Sequence, residues 1–531
     1  MRSAFVVLTA GLIATIPGGE AQAVKDGGTL RMQHRDNAPS GSILEEATNS
    51  TTEPFMGVFN NLVVYDQTKP VNSDETIVAD LATEWAWDAG KTKLTFKLRD
   101  GVKWHDGKPF SSADVKCTFD LLLGKAKQKL RKNPRAVWFH NLKDITVNGP
   151  LEATFDLAKP QPGFLHLLAS GYTPVYPCHV DPQVMRTAPI GTGPFKFVEW
   201  KRNESMRFVK NPDYFKKGKP HVDAIEWTVM PSRSTRILAF TAGEHDVTFS
   251  ADVTVPLLRD VKSQAPNAVC EVRPTNVSTN LIVNREKPPF DNPKIRQAMD
   301  MALDRDAFIS IMSEGKNDKG GAMLPAPEGQ WGLTKEQLAE IPGYGGSASV
   351  QKARAEAEKI MESLGYSETK PLPVKVSTRD IAIYRDAAVI LIDQLKTIHI
   401  EGELEVVDTS IWHAKVARND YSVGLNLTGV GVDDPDAGLV ENYTCNSERN
   451  YTKYCNPEVD KLIFAQSQET DKAKRKAMVI DIQKKLIADV ARPIIYYGRN
   501  ATCWQPHVKG IVLHQNSIYN GARYEDVWLD R

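Results

Sequence analysis

The stretch from Trp87 to Val115, WDAGKTKLTFKLRDGVKWHDGKPFSSADV, decides how the rest of the chain is read. Leu94, Phe96 and Leu98 alternate with polar residues, the period of a strand with one buried face. Asp100-Gly101 and Asp106-Gly107 are turn signals, and Val102 and Trp104 resume the alternation between them. Ser111 or Ser112 then caps a helix that runs through Val115 and Phe119, its side-chain oxygen accepting from the free N–H groups of the first turn. Strand, turn and capped helix follow one another with no catalytic chemistry among them.

Outward from this stretch, the N-terminal side reads as a mixture of strands and short helices. Residues 53–65 are expected to be helical, with Phe55, Val58, Phe59 and Leu62 on one face. Asn148-Gly149 marks a hairpin within KDITVNGPLEATFDL. Gly191 and Gly193 in GTGPFKFVEW lack the third glycine and the helix of a phosphate loop, so they are read as a close-packed crossing of two segments.

From Asn284 onward helices dominate. Pro293 follows a capping Asp291 or Asn292, and Ile295, Ala298, Met299, Ala302 and Leu303 form one apolar stripe. A second helix carries Val350, Ala353, Ala357, Ile360, Met361 and Leu364 and ends at Gly365. The strand VKVST, a helix over about 381–398, the strand GELEVVD, a short helix at Trp412 and the strand YSVGLNL alternate as in an α/β domain with a mixed sheet. A last helix covers 471–489, and ARPIIYYGRNATCW reads as a buried strand returning to the first domain.

Composition bounds the function. A chain of 531 residues exceeds what one core usually organises. Lys plus Arg and Asp plus Glu number 66 each, so the formal net charge is zero and there is no basic excess for nucleic acid. Arg2, the apolar run 4–16 and Ala21-Gln22-Ala23 have the order of a cleavable signal peptide, with the mature chain beginning near Val24. No cysteine stands near that cleavage site for lipid attachment, so a freely diffusing periplasmic protein is expected, not a lipoprotein. Of six cysteines, Cys445 and Cys455 flank a short polar loop and are the expected disulfide; the pairing of Cys117, Cys178, Cys270 and Cys503 stays open. No nucleophile elbow, zinc helix or P-loop occurs, so neither catalytic residues, nor a cofactor, nor a metal site is assigned.

Several linked segments resemble one family. VADLATEWAWD, the 87–115 stretch, GTGPFKFVEW with NPDYFKKGKPHVDAI, STRILAFTAGEHDV, NREKPPFDNPKIRQAMDMALDRDAFI and AEKIMESLGY are similar, in order, to motifs of the family 5 solute-binding proteins of ATP-binding-cassette importers, the dipeptide, oligopeptide and nickel receptors. The resemblance implies an α/β fold of the periplasmic-binding-protein type II kind, two lobes on a hinge plus an extra β-rich domain. After the signal peptide, 1–23, it implies a discontinuous lobe I (24–66, 192–280 and 492–531), the extra domain (67–191) and lobe II (281–491). The implied function is capture of a peptide or similar small polar solute by lobe closure, and its delivery to the transmembrane permease by a monomeric receptor. A secreted hydrolase using the same cleft, or a chaperone-like binder, is the alternative.

In peptide-binding relatives an aspartate after a Gly-Trp strand end pairs with the ligand amine. Here the segment reads GLNLTGVGVDDPDA, with Leu427 in place of the tryptophan and Val430 in place of the aspartate. Asp433 is the nearest substitute and is expected to bind ligand. Arg379 after VKVST, Arg35 in the loop after the first strand, and the aromatic Trp412 and Trp331 complete the expected ligand-binding set.

Overall fold

The structure is a computed structural model describing residues 23–531; the expected signal peptide and its cleavage site fall almost entirely outside them. Three sheets organise the chain. The first has Thr29–His34 parallel to Ala224–Val229, followed by the antiparallel strands Ser205–Lys210 and Phe195–Lys201. The second, in order across the sheet, is Ile400–Val407, Leu372–Arg379, Val423–Gly429, Val269–Val283 and Ile494–Trp504, with parallel and antiparallel pairs mixed. The third is a four-stranded antiparallel sheet of Ala82–Trp87, Lys93–Leu98, Glu152–Leu157 and Leu142–Gly149.

The third sheet contains the opening stretch. Leu94, Phe96 and Leu98 point into the core, and Phe96 and Phe155 meet edge to face at 5.5 Å. The capped helix is Ser112–Leu122; its cap is Ser111, whose N–H donates to the Asp114 carboxylate at 2.9 Å in a reciprocal capping box. Between strand and helix Val102 and Trp104 are buried, but only an isolated bridge, Lys103 to Pro109, forms there.

Two local expectations are corrected. Residues 53–65 are not one helix: the helix is Asn49–Phe55, it tightens over Met56–Val58, and Val63–Tyr65 is a strand. Phe55, Val58, Phe59 and Leu62 are nevertheless all buried, so the helical stripe was a general core signal. The hairpin turn lies at Pro150-Leu151, because Gly149 already pairs with Glu152 and the Asn148 side chain reaches Glu152 and Thr154. The glycine crossing is present: a Cβ on Gly191 would stand 1.9 Å from the Val58 carbonyl oxygen, and the Gly193 N–H donates to that same oxygen at 2.9 Å.

Two long strands join the lobes. Val269–Val283 and Ile494–Trp504 run antiparallel, and one end of the pair is tied to the first sheet by bridges from Val247 to Met32 and Trp504. At the other end Leu281, Val283, Ile495 and Tyr496 enter the helical core with Phe308 and Leu391. The ladder breaks between Pro274 and Ser278, where Asn276 takes a left-handed φ of 51°. Cys270–Cys503 pins the strands on the first-sheet side of that break. Cys445–Cys455 forms as expected, and Cys117–Cys178 ties the capped helix to the chain after Tyr176.

Candidate functional site: the cleft between the lobes

The broken ladder floors a cleft. Its central chamber is lined from the first lobe by Arg35, Asn49 and Ser250, and from the second by Arg379, Tyr384, His413, Asn426, Leu427, Arg449 and Tyr451. Asn500 and Thr275 on the joining strands and Tyr519 on the C-terminal segment close it. A second chamber continues beneath the C-terminal segment and shares Ser250, Thr275 and Asn500 with the first.

Local structure explains why these side chains converge. Arg35 and Asp36 follow the end of strand Thr29–His34, and Arg379 ends strand Leu372–Arg379. Both strand ends therefore open toward the same space, the usual place for a ligand in an open α/β sheet. Arg379 Nη2 donates to Asp36 Oδ2 at 2.9 Å, its Nη1 to the Tyr384 hydroxyl at 2.9 Å and its Nε to Thr409 Oγ1 at 3.1 Å. Thr409 and Ser50 hydroxyls donate to the Asp36 carboxylate at 2.6 and 2.8 Å. Burial works to push the Asp36 pKa up, but Arg379 and the hydrogen bonds outweigh it and hold the carboxyl below its ordinary range.

Arginines cluster around Arg449 behind the second-lobe wall. Arg449 pairs with Glu441 at 2.7 Å, and Arg135 stands 3.7 Å from the same carboxylate, stacked on Tyr172. Among the described residues Arg492 has no acidic partner; it bonds Asn442 and the Arg449 carbonyl. His413 is held neutral, its pKa far below the ordinary value, first by burial and then by Arg379, Lys132, Arg449 and Arg135. Glu53, in the adjoining chamber, is pushed up to about 7 by burial, against the counteracting Ser250 N–H and Asn49 amide.

The five expected ligand-binding residues divide into three places. Arg35 and Arg379 both line the central chamber. Asp433 and Trp331 are brought together elsewhere, in a separate cavity with His166, Asp434 and Arg475. There the Trp331 indole donates to the Asp433 carbonyl at 3.1 Å, and Asp433 Oδ2 accepts from the Gln330 N–H at 3.0 Å. Trp412 is fully buried between Ile282, Val407, Val416, Tyr421 and Tyr451 and reaches no cavity described here. Leu427 faces the central chamber, whereas Val430 is in the core and its N–H donates to the Asn276 carbonyl. Sequence reasoning passed over Arg449, His413, Tyr384 and Asn500. Arg449 sits inside the disulfide loop, and that loop's polarity was its only signal.

Two lobes joined by a pair of crossing strands, with a polar chamber at the joint, define a protein that encloses a solute. The family described as bacterial extracellular solute-binding proteins, family 5 Middle, matches residues 76–450. The chain belongs to that family. It is 27% identical over 473 residues to the probable di/tripeptide-binding protein 5 of Pseudomonas aeruginosa, covering 82% of this chain and 83% of that one. The Bacillus subtilis oligopeptide-binding protein AppA, solved with a nonapeptide, superposes with a TM-score of 0.82 at 21% identity over 96% of this chain and all of that one. The A. tumefaciens R10 binding protein AgaA, solved with agropinic acid, superposes at 0.81 and 21% identity, over 95% and 99% of the two chains. Among the described residues no helix is long and apolar enough to cross a membrane.

Proposed function

We propose that this chain is the periplasmic receptor of an ATP-binding-cassette importer, exported by a cleavable signal peptide and acting as a monomer. It captures a peptide or similar small polar solute between its lobes, and the closed form presents that solute to the permease. The Arg379–Asp36 pair carries the reading. It joins residues 343 apart in sequence, one on each lobe, at the edge of the chamber that both lobes line. Two further pairs follow the same seam: Arg233 to Asp386 at 2.8 Å, and Arg259 to Glu314.

Closure of this kind raises the worth of every polar contact inside, because water is excluded and the local dielectric falls. The solute is bound and released unchanged in this reading. All six cysteines are in disulfides, so none offers a thiolate nucleophile. The relatives' ligands, di/tripeptides, a nonapeptide and agropinic acid, support a small polar solute as the class.

A solute panel followed by thermal shift and small-angle scattering tests the proposal. A bound solute raises the melting temperature, reduces the radius of gyration and is recovered intact. Chemical conversion of the bound solute, or binding with no compaction, contradicts it.

A further inference from the structure

The geometry points to a carboxylate-bearing solute as the ligand of the central chamber, with Arg35 as the residue that receives the acid group. The inference rests on the receptor reading above and names the class of solute.

Three arginines, Arg35, Arg379 and Arg449, line the chamber, and no aspartate or glutamate does. Their acidic partners stand behind them and are already used. Asp36 accepts from Arg379, Thr409 and Ser50, and Glu441 is shared between Arg449 and Arg135. Arg492 adds another buried cation with no carboxylate of its own. Three arginines thus line a chamber whose wall carries no carboxylate of its own. Glu53, in the adjoining chamber, feels the Arg35 charge but is engaged by the Ser250 N–H and the Asn49 amide.

Arg35 has no ion-pair partner among the described residues; its guanidinium rests 4.7 Å from the centre of the Phe249 ring. Buried guanidinium nitrogens of two lining residues also lack partners. Arg35 Nε and Arg449 Nε are buried and make no hydrogen bond. A buried, unsatisfied donor is costly, and the cost is greater for a charged group. A carboxylate in the chamber offsets the charge of the arginines that line it, Arg35 from one lobe and Arg379 and Arg449 from the other. The rest of the lining, Asn49, Asn426, Asn500, Thr48, Thr275 and Ser250, suits hydroxyl or amide groups on the remainder of the solute. By contrast, a free ammonium group finds no carboxylate in this chamber.

The test titrates the full-length mature protein with matched pairs: galacturonate against galactose, and N-acetyl-alanyl-alanine against its C-terminal amide, with alanyl-alanine amide as the cationic member. Binding is read by calorimetry and closure by scattering. The acid of at least one pair is expected to bind roughly tenfold or more tightly than its neutral partner. Arg35→Gln abolishes that preference and Arg35→Lys restores part of it, at unchanged far-ultraviolet circular dichroism. Preference for the neutral or cationic members, or an acid preference retained in Arg35→Gln, overturns the carboxylate class and leaves the receptor reading standing. A failure of every member to bind or to compact the protein counts against both.

Discussion

Arg379 and Asp36 form a buried ion pair across the seam between the lobes, with Tyr384, Thr409 and Ser50 completing the guanidinium and carboxylate hydrogen bonds. A pair this well satisfied holds the lobes together only while both partners are present. Removal of one leaves an uncompensated buried charge, at a cost of about 3–5 kcal/mol unless the lobes part and admit water. Asp36→Ala and Arg379→Ala are therefore expected to open the protein, with a larger radius of gyration and weaker solute binding. A charge-free double variant should recover part of the loss.

The same pair sets an acid limit. Asp36 has a pKa held below its ordinary value of 3.8, so its contribution is fully present above that value. It is lost as pH falls through the depressed value. Opening of the lobes below about pH 4 is expected in scattering, and Asp36→Asn should remove that step.

Glu53 behaves with the opposite sign. Its pKa rises from 4.5 to about 7 because burial disfavours the carboxylate. The folded chain then holds a proton that the unfolded chain has released, so stability declines as pH rises from about 4.5 to 7. The shift corresponds to about 3 kcal/mol at neutral pH. Glu53→Gln should flatten the melting-temperature profile over this window. An unchanged slope in the variant refutes the assignment.

The disulfides are expected to contribute unequally. On the chain-entropy account, Cys445–Cys455, 10 residues apart, is worth about 3 kcal/mol, and Cys270–Cys503, 233 apart, about 5 kcal/mol. The Cys270→Ser and Cys503→Ser double variant should melt at a lower temperature than the Cys445→Ser and Cys455→Ser double variant. It should also loosen the strand pair beside the hinge, seen as faster amide exchange at 269–274.

Trp412 separates core from cleft. Truncation to Ala should cost about 3–5 kcal/mol of stability, as for other large buried side chains. Trp412→Phe should bind solute with wild-type affinity, because no atom of this ring reaches the chamber. A loss of affinity with stability intact returns Trp412 to the binding set.

Much of the fold was legible because packing writes regular patterns. The alternation at Leu94, Phe96 and Leu98, the cap at Ser111, the stripe from Ile295 to Ala302 and the crossing at Gly191 and Gly193 all follow from local rules, and all are present. The failures are equally physical. The tight turn at Met56–Val58 breaks an apolar run whose spacing alone is that of a single helix.

Arg35 and Arg379 line the chamber because each stands at a strand end, a position legible in the sequence, and strand ends gather at a cleft. Asp433 could not be excluded, since its distance from the chamber depends on how the chain turns after Gly429, beneath Tyr519. Arg449 and His413 reach the chamber only through tertiary packing of the disulfide loop and its neighbouring helix.

The central claim, that the lobes close on a solute and are fastened by Arg379 and Asp36, is tested most directly by a distance measured across the seam. Spin labels at Leu238→Cys and Val389→Cys, both more than half exposed on helices of opposite lobes, report it by pulsed electron resonance. The account predicts one short, narrow distance with a bound solute and a longer, broader one in Asp36→Asn. Identical distributions in both proteins, with and without solute, would contradict it.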